Sequence, residues 1–435
     1  MSLTTSDAVP FADATMRYVR EQFAHLERDV HGTHRLYFEN SGGSLRLRAV
    51  GERAQEVSLS PESASRPGRV ARELARIQEQ GEADVLAFFG GDASGALLPT
   101  ATASQGMFTV IRTIADNIPG TNIVTTAIEH PSSYDACTRH ARRTGQELRI
   151  AAADSTTGGV DPEAIAQLVD SGTSLVSVIA TSNITGAITD VAAVVRAVRA
   201  RNPETYVVVD AVQYAPHGVV DVQEWGVDAA NIAPYKMFGE RGNAFTYLSG
   251  RLAGLDHDRP ASAGPRSWAI GSAAPAVFAG FSAIVDYLVA VGATAPGTDR
   301  RTALVAGQRA IQGHEQAILR TLLEGTPGAT GLRELPGVHV HFADRAALVA
   351  RDLIVPLTFD GLSCADATRA YEEAGVIVYE RVASSAYSER ILRAVGLEEV
   401  VRVSPLHCHT IEEAEQFLRA TRQIAQHAAS EPAPV

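Results

Sequence analysis

Apolar and polar residues fall in blocks through the middle of the chain. Tyr206-Val207-Val208-Val209 is an unbroken apolar run closed by Asp210, and the run from Ser177 to Ala180 gives way to Thr181-Ser182-Asn183. Short runs of this kind predict buried strands. Between them, apolar positions at helical spacing predict a helix over 191–199. A turn through Gln213, Pro216 and His217 follows Asp210, then a short helix over 222–225 and a strand and turn from Asn231 to Gly239. The order strand, helix, strand, helix, strand predicts an open α/β sheet. Its polar residues gather where strands end, which is where such sheets bind ligands.

Outside this block, Phe11, Met16, Val19, Phe23 and Leu26 share one face of an amphipathic helix spanning 11–30. A Gly-, Pro- and Ser-rich loop covers 251–267, and 292–300 reads as a hinge into a long helix. Beyond it helices alternate with strands expected at 338–342, 354–359 and 376–378. The last residues, 428–435, are Ala- and Pro-rich and expected to fray. No internal repeat is evident. No uninterrupted apolar stretch reads as long enough to span a bilayer, and the N-terminus lacks the basic region and apolar core of a signal peptide.

The 435 residues allow a large core and two domains. Hydrophobic content of 45% and charged content of 20% suit a soluble globular protein. A net charge of -12 argues against a nucleic-acid or anionic-membrane surface. Three scattered cysteines form no disulfide framework and fit a reducing cytoplasm, the expected location.

Asp210 and Lys236 carry the most chemistry. An acid ending a buried strand, followed by a lysine in an otherwise apolar strand and turn, suits pyridoxal phosphate. The carboxylate keeps the pyridine nitrogen protonated, and the amine forms a Schiff base. His407-Cys408-His409 could suggest metal, but on a strand successive residues face apart and no fourth ligand recurs nearby, so no metal is expected. Gly42-Gly43 and the glycines from Gly239 to Gly242 are weak phosphate signals. No G-x-G-x-x-G or Walker-type loop follows a strand, so a nucleotide cofactor is unsupported.

Ser182-Asn-Ile-Thr-Gly-Ala187, Val207-Val-Val-Asp-Ala-Val-Gln-Tyr-Ala-Pro-His217 and Pro234-Tyr-Lys-Met-Phe-Gly239 resemble the class V aminotransferase family of fold-type I pyridoxal phosphate enzymes. Within it the likeness is to the cysteine desulfurase-like branch, with its C-S lyases and isopenicillin N epimerases. Tyr37-Phe-Glu-Asn-Ser-Gly-Gly43 is similar to the family's N-terminal loop, and the segment from Val401 to Thr410 to its C-terminal Arg-x-Ser segment. The resemblance implies a large domain with a mainly parallel seven-stranded sheet over 35–295 and a smaller α+β domain over 296–427. Residues 1–34 would pack with the latter.

It also implies a site. Lys236 would hold the cofactor and move the substrate α-proton, Asp210 would pair with the ring nitrogen, Gln213 with the phenolic oxygen, and His130 would stack on the ring. Ser104 and Gln105 would open a helix whose free N–H groups bind phosphate. Asn183 and Arg402 would hold the substrate carboxylate. Ser272, after Gly271, would reach the neighbouring subunit's phosphate in a homodimer.

Two departures bear on the reaction. Where desulfurases carry Ser-x-His-Lys, this chain has Ala233-Pro-Tyr-Lys236, leaving Tyr235 as a replacement phosphate donor or as packing. Desulfurases pass sulfur to a loop cysteine, whereas the equivalent stretch, Glu380 to Ser388, contains none. A small or modified amino acid is therefore the expected substrate, cleaved by β-elimination at a C–S or other C–X bond without a persulfide. Aminotransferase or epimerase chemistry is the alternative, and a non-catalytic relative the reading from another class.

Overall fold

The computed structural model describes residues 8–272, 274–343 and 350–430. Every residue of Tyr206–Asp210 and Thr173–Ile179 is buried. Alternate side chains enter separate apolar clusters, Val207 and Val209 one and Tyr206 and Val208 the other. Both faces of the strand are covered, which is why it reads as a continuous apolar run. The seven-stranded sheet runs, edge to edge, Ala96–Thr100, Ala244–Leu248, Ala229–Ile232, Tyr206–Asp210, Thr173–Ile179, Asn122–Thr126, Glu147–Ala151. Ala244–Leu248 is antiparallel to both its neighbours, and the other pairings are parallel. Helix Val191–Arg201 is started by Asp190, whose side chain accepts from the Ala193 N–H.

The N-terminal helix is shorter than its amphipathic pattern suggests, Asp13–Gln22, and passes into a strand, Phe23–Ala24, paired with Arg46–Leu47. Phe23 ends the helix by turning its ring edge-on to Phe238 and Tyr287, at centroid distances of 5.7 and 5.8 Å. This segment meets both parts of the chain. Val19 and Phe23 enter the core beneath the large sheet, while Arg20 reaches Glu413 at 2.8 Å and the Cys408 carbonyl at 3.1 Å.

A second, antiparallel sheet is ordered Val338–Val340, Val355–Phe359, Glu399–Val403, Tyr379–Val382. Its core also takes in Leu36 and Phe38 from the N-terminal loop. Val376–Ile377 is a two-residue strand paired instead with Leu36–Tyr37. The C-terminal helix, Ile411–Ser430, runs through 428–430 where fraying was expected, and 431–435 lie outside the described residues.

Helix Pro275–Gly292, interrupted by Asp286, is long and apolar enough by length and composition alone to cross a bilayer. It packs among helices Arg48–Ser58, Arg69–Phe89 and Arg300–Glu324. A Cβ at Gly307 would overlap the Leu288 carbonyl, so this is a close-packed core helix whose apolar surface meets protein.

Candidate active site

Asp210 projects from the C-terminal end of its strand. One carboxylate oxygen accepts from the hydroxyls of Ser132 and Ser133, at 3.1 and 3.3 Å, and the other from the Val212 N–H at 3.1 Å. Both serines lie in the first turn of helix Pro131–Thr144, which His130 caps. The imidazole Nδ1 accepts from the Ser132 N–H at 3.2 Å and lies 2.8 Å from its hydroxyl. Burial lowers the His130 pKa, against the opposing charge of Asp210, and favours a neutral ring. Adjacent Glu129 is wholly buried and pushed up to about 8, chiefly by burial, so the carboxyl beside Asp210 is largely protonated at neutral pH.

Lys236 is the only lysine in the chain; every other residue among the 38 Lys and Arg is arginine. It ends the tight turn Pro234–Lys236 that follows strand Ala229–Ile232, whose Asn231 is in register with Asp210. Its amine is buried and donates to the Ser41 carbonyl. Burial, followed by the positive charge of Arg402, Arg241 and Arg381, lowers its pKa to about 7 while Glu39 opposes. A lysine so placed is partly unprotonated at neutral pH and able to act as nucleophile or base.

Arg402, on strand Glu399–Val403, is also buried. It donates to the Asn183 carbonyl at 2.9 Å and pairs with the Glu39 carboxylate, while its Nε has no partner. Glu39 stands in the Tyr37–Gly43 loop that also supplies the Ser41 carbonyl. The glycines there serve close approach: a Cβ at Gly42 would collide with the Glu39 carboxylate, and one at Gly43 would lie 2.9 Å from the Arg241 guanidinium. Arg241 stacks on Tyr235, 4.2 Å from its centroid, and donates to the Gly42 carbonyl at 3.1 Å. Arg381, in strand Tyr379–Val382, makes no ion pair among the described residues, and burial and Arg402 lower its pKa to about 10.

Lys236, Asp210, His130, Asn183 and Arg402 are thus set at the strand ends and the loops crossing them, with Tyr235 beneath Arg241. Gln213, three residues past Asp210, is buried and its side-chain oxygen has no partner. The residues expected as phosphate donors stand differently. Ser104 and Gln105 do open helix Ala103–Asn117, but the Gln105 N–H is taken by the Thr102 hydroxyl at 3.1 Å, leaving the open end at Ala103 and Ser104. Asn231 ties this end to the strand leading to Lys236 by donating to the Ala103 carbonyl at 2.7 Å. Ser272 is exposed and lines, with Gln105, Phe108 and Phe278, a groove of about 1010 Å³ whose lining includes neither Lys236 nor Asp210. His407-Cys408-His409 forms a buried turn whose side chains serve the interior. His407 meets the Tyr287 hydroxyl at 2.7 Å, and the His409 ring accepts from the Leu406 N–H at 3.0 Å. No cluster that could hold a metal occurs among the described residues.

Sequence reasoning passed over Glu39, Arg241 and Arg381. A charged residue inside Tyr37-Phe-Glu-Asn or beside the Lys236 turn was the available signal, as was the absence of any other lysine. The residues present fit pyridoxal phosphate. Asp210 offers a carboxylate acceptor and Lys236 an amine short of its proton. Ser41 Oγ, Asn183 Oδ1, Gln213 Oε1 and Arg402 Nε are buried polar atoms lacking protein partners, as a polar ligand requires.

Comparison with known proteins agrees. The family model for aminotransferase class-V matches residues 36–294. A probable cysteine desulfurase of Mycobacterium leprae is 25% identical over 425 residues, covering 92% of this chain and 94% of that protein. An aminotransferase-like protein of Gibberella zeae is 26% identical, covering 70% and 73%. The apo structure of a cysteine desulfurase from Thermococcus onnurineus superposes with a TM-score of 0.77 at 21% identity, over 94% of this chain and 98% of that one. With its sheet order and the Asp210–Lys236 pair in place, the chain belongs to the class V aminotransferase family, in its cysteine desulfurase-like branch, and its cofactor is pyridoxal 5'-phosphate.

Proposed function

We propose that the protein cleaves a β-substituted amino acid by elimination at a C–S or other C–X bond, releasing the leaving group directly without a cysteine persulfide. The observation that carries this reading is the state of the thiols. Cys137, Cys364 and Cys408 are all buried. Burial pushes the first two up to about 12 and the third well above its ordinary value, so none is a ready nucleophile. The stretch from Glu380 to Ser388 offers no substitute.

The chain's own groups suit the first steps. Arg402 binds the substrate carboxylate, with its unpartnered Nε available to complete a two-pronged contact. Asp210, held by two serine hydroxyls and a backbone N–H, would fix the protonated ring nitrogen of the cofactor, which when bound supplies the sink for electrons left on the α-carbon. The Lys236 amine, with its pKa near 7, can take the α-proton once displaced from the cofactor, and the surrounding guanidiniums keep it from holding a proton too firmly. The exposed Ser272 and its groove support a homodimer in which a second copy completes the phosphate site. A monomer at micromolar concentration would remove Ser272 from that role.

The purified holoprotein should show the visible band of lysine-bound cofactor. Borohydride reduction should attach the cofactor to Lys236, the chain's one lysine. Cysteine, cystine and related β-substituted amino acids should give keto acid and ammonia in equal amounts, and Cys408→Ala should change this little. Bleaching with no more than one keto acid per site and no ammonia would mean transamination instead, and inverted substrate with neither product would mean epimerisation. Loss of sulfide release in Cys408→Ala would restore a persulfide route.

A further inference from the structure

Beneath the site lies a buried polar chain that the steps above do not use. His217 is four residues past Gln213, and its Nε2 lies 3.5 Å from the Gln213 side-chain nitrogen. On the other side its Nδ1 lies 2.8 Å from a carboxylate oxygen of Glu315, in the interior of helix Arg300–Glu324. The second Glu315 oxygen accepts from the His407 N–H at 3.1 Å, and the His407 ring is bonded to Tyr287. Gln213, His217, Glu315 and His407 are all almost wholly buried.

An ionised carboxylate in such a place needs a cation. His217 is the group that can serve. Glu315 holds its pKa up to about 9, helped by Asp352 and opposed by burial and Lys236, while His407 is driven neutral by burial. Charged imidazole carries a proton on both nitrogens. Its Nε2–H therefore points at Gln213 and requires an acceptor. In the amide orientation shown, nitrogen faces nitrogen and the Gln213 oxygen has no partner. Rotating the amide by half a turn mends both defects at once, because oxygen and nitrogen of this group are assigned from the surrounding hydrogen bonds. The oxygen then accepts from His217, and the NH2 group replaces the unpartnered oxygen.

We infer that His217 and Glu315 are positioning residues that lock the Gln213 amide with its NH2 toward the cofactor pocket, making it an obligatory donor to an anionic oxygen there. The inference rests on the pyridoxal phosphate reading of the site, with Gln213 at the phenolic oxygen of the ring. A fixed donor at that oxygen favours its anionic form and lowers the pH at which the cofactor's visible band changes. His217, held charged by Glu315, would therefore tune the cofactor through Gln213 without touching it.

The test is the spectroscopic pH titration of the holoprotein without substrate. Glu315→Gln keeps the side-chain volume, lets His217 lose its second proton and frees the amide to reverse. It should raise the band's midpoint by about one pH unit, a tenfold change in proton affinity. Gln213→Leu should give a similar rise, and Glu315→Gln added to Gln213→Leu should then do nothing further. If Gln213→Leu moves the midpoint while Glu315→Gln does not, the relay is wrong. If Gln213→Leu itself leaves the midpoint unchanged, the placement of Gln213 at the ring oxygen fails instead. Nitrogen-15 NMR of the histidines in unsubstituted protein does not depend on any variant folding. His217 should show two protonated nitrogens through pH 8, and a neutral His217 at pH 7 would overturn the inference.

Discussion

The two halves of the site are built on different principles. The half around Asp210 and His130 stands on the large parallel sheet, and the Asp210 carboxylate is held by neighbours on the same framework: two serines from one helix turn and the N–H of Val212. The half around Arg402 is assembled from the small antiparallel sheet, the Tyr37–Gly43 loop and the Asn183 turn, segments far apart in sequence. There a buried guanidinium is held by a carboxylate of the protein itself, and positive groups outnumber negative ones. A half whose central carboxylate is held by its own framework suits a bound cofactor. A half with one internal counter-ion and excess positive charge suits an anionic substrate that comes and goes.

Removing Arg402 should break this comparison most severely. Arg402→Ala should weaken substrate binding by about 2 to 5 kcal/mol, or roughly 30-fold to several thousand-fold, with the cofactor retained. The variant also leaves Glu39 as a buried charge without its partner and should lose stability. Arg402→Ala combined with Glu39→Gln should recover stability but not substrate binding. Equilibrium unfolding and steady-state kinetics on both variants separate the effects. Cofactor loss in Arg402→Ala would show that the two halves are not independent.

A milder change probes the internal counter-ion. Glu39 occupies part of the guanidinium proposed to hold the substrate carboxylate. Glu39→Gln should therefore lower the apparent substrate KM several-fold with little change in kcat. A raised KM would mean that Glu39 orients Arg402 and does not compete for it.

The same division governs what the sequence discloses. The large-sheet half is legible because each element carries its own mark: an apolar run ended by Asp210, a lysine in an apolar turn, a helical period at 191–199. The Arg402 half depends on side chains meeting across more than 360 positions, as Arg402 and Glu39 do, and no local period reports that. The N-terminal helix was overextended for a similar reason. Its apolar period continues to Leu26, but the packing of Phe23 on Phe238 and Tyr287 ends the helix early. His407 to His409 carry no local mark of the turn they form, because the hydrogen bonds that hold it reach into the interior. Glu315 lay within a helix pattern, and only the fold shows that it faces His217.

The smallest expected effect tests whether burial keeps a carboxyl of the cofactor half neutral at the pH of use. Glu129 lies next to His130, with Thr126 and Ile179 donating to one of its oxygens at 2.7 and 2.8 Å and no partner for the other. Its pKa rises from 4.5 to about 8, chiefly through burial. The folded protein therefore binds this proton more tightly than the unfolded chain does. The stability it contributes is present below pH 4.5 and is lost progressively as pH rises through about 8. Glu129→Gln keeps the accepting oxygen and cannot ionise, so its cofactor-free form should lack this part of the alkaline loss. Between pH 6 and 8.5 the Tm of the unsubstituted protein should fall by roughly 1 to 3 °C more than that of the variant. Parallel curves would mean that Glu129 is already ionised at pH 6, placing its charge beside Asp210 and overturning the view that burial keeps this carboxyl neutral.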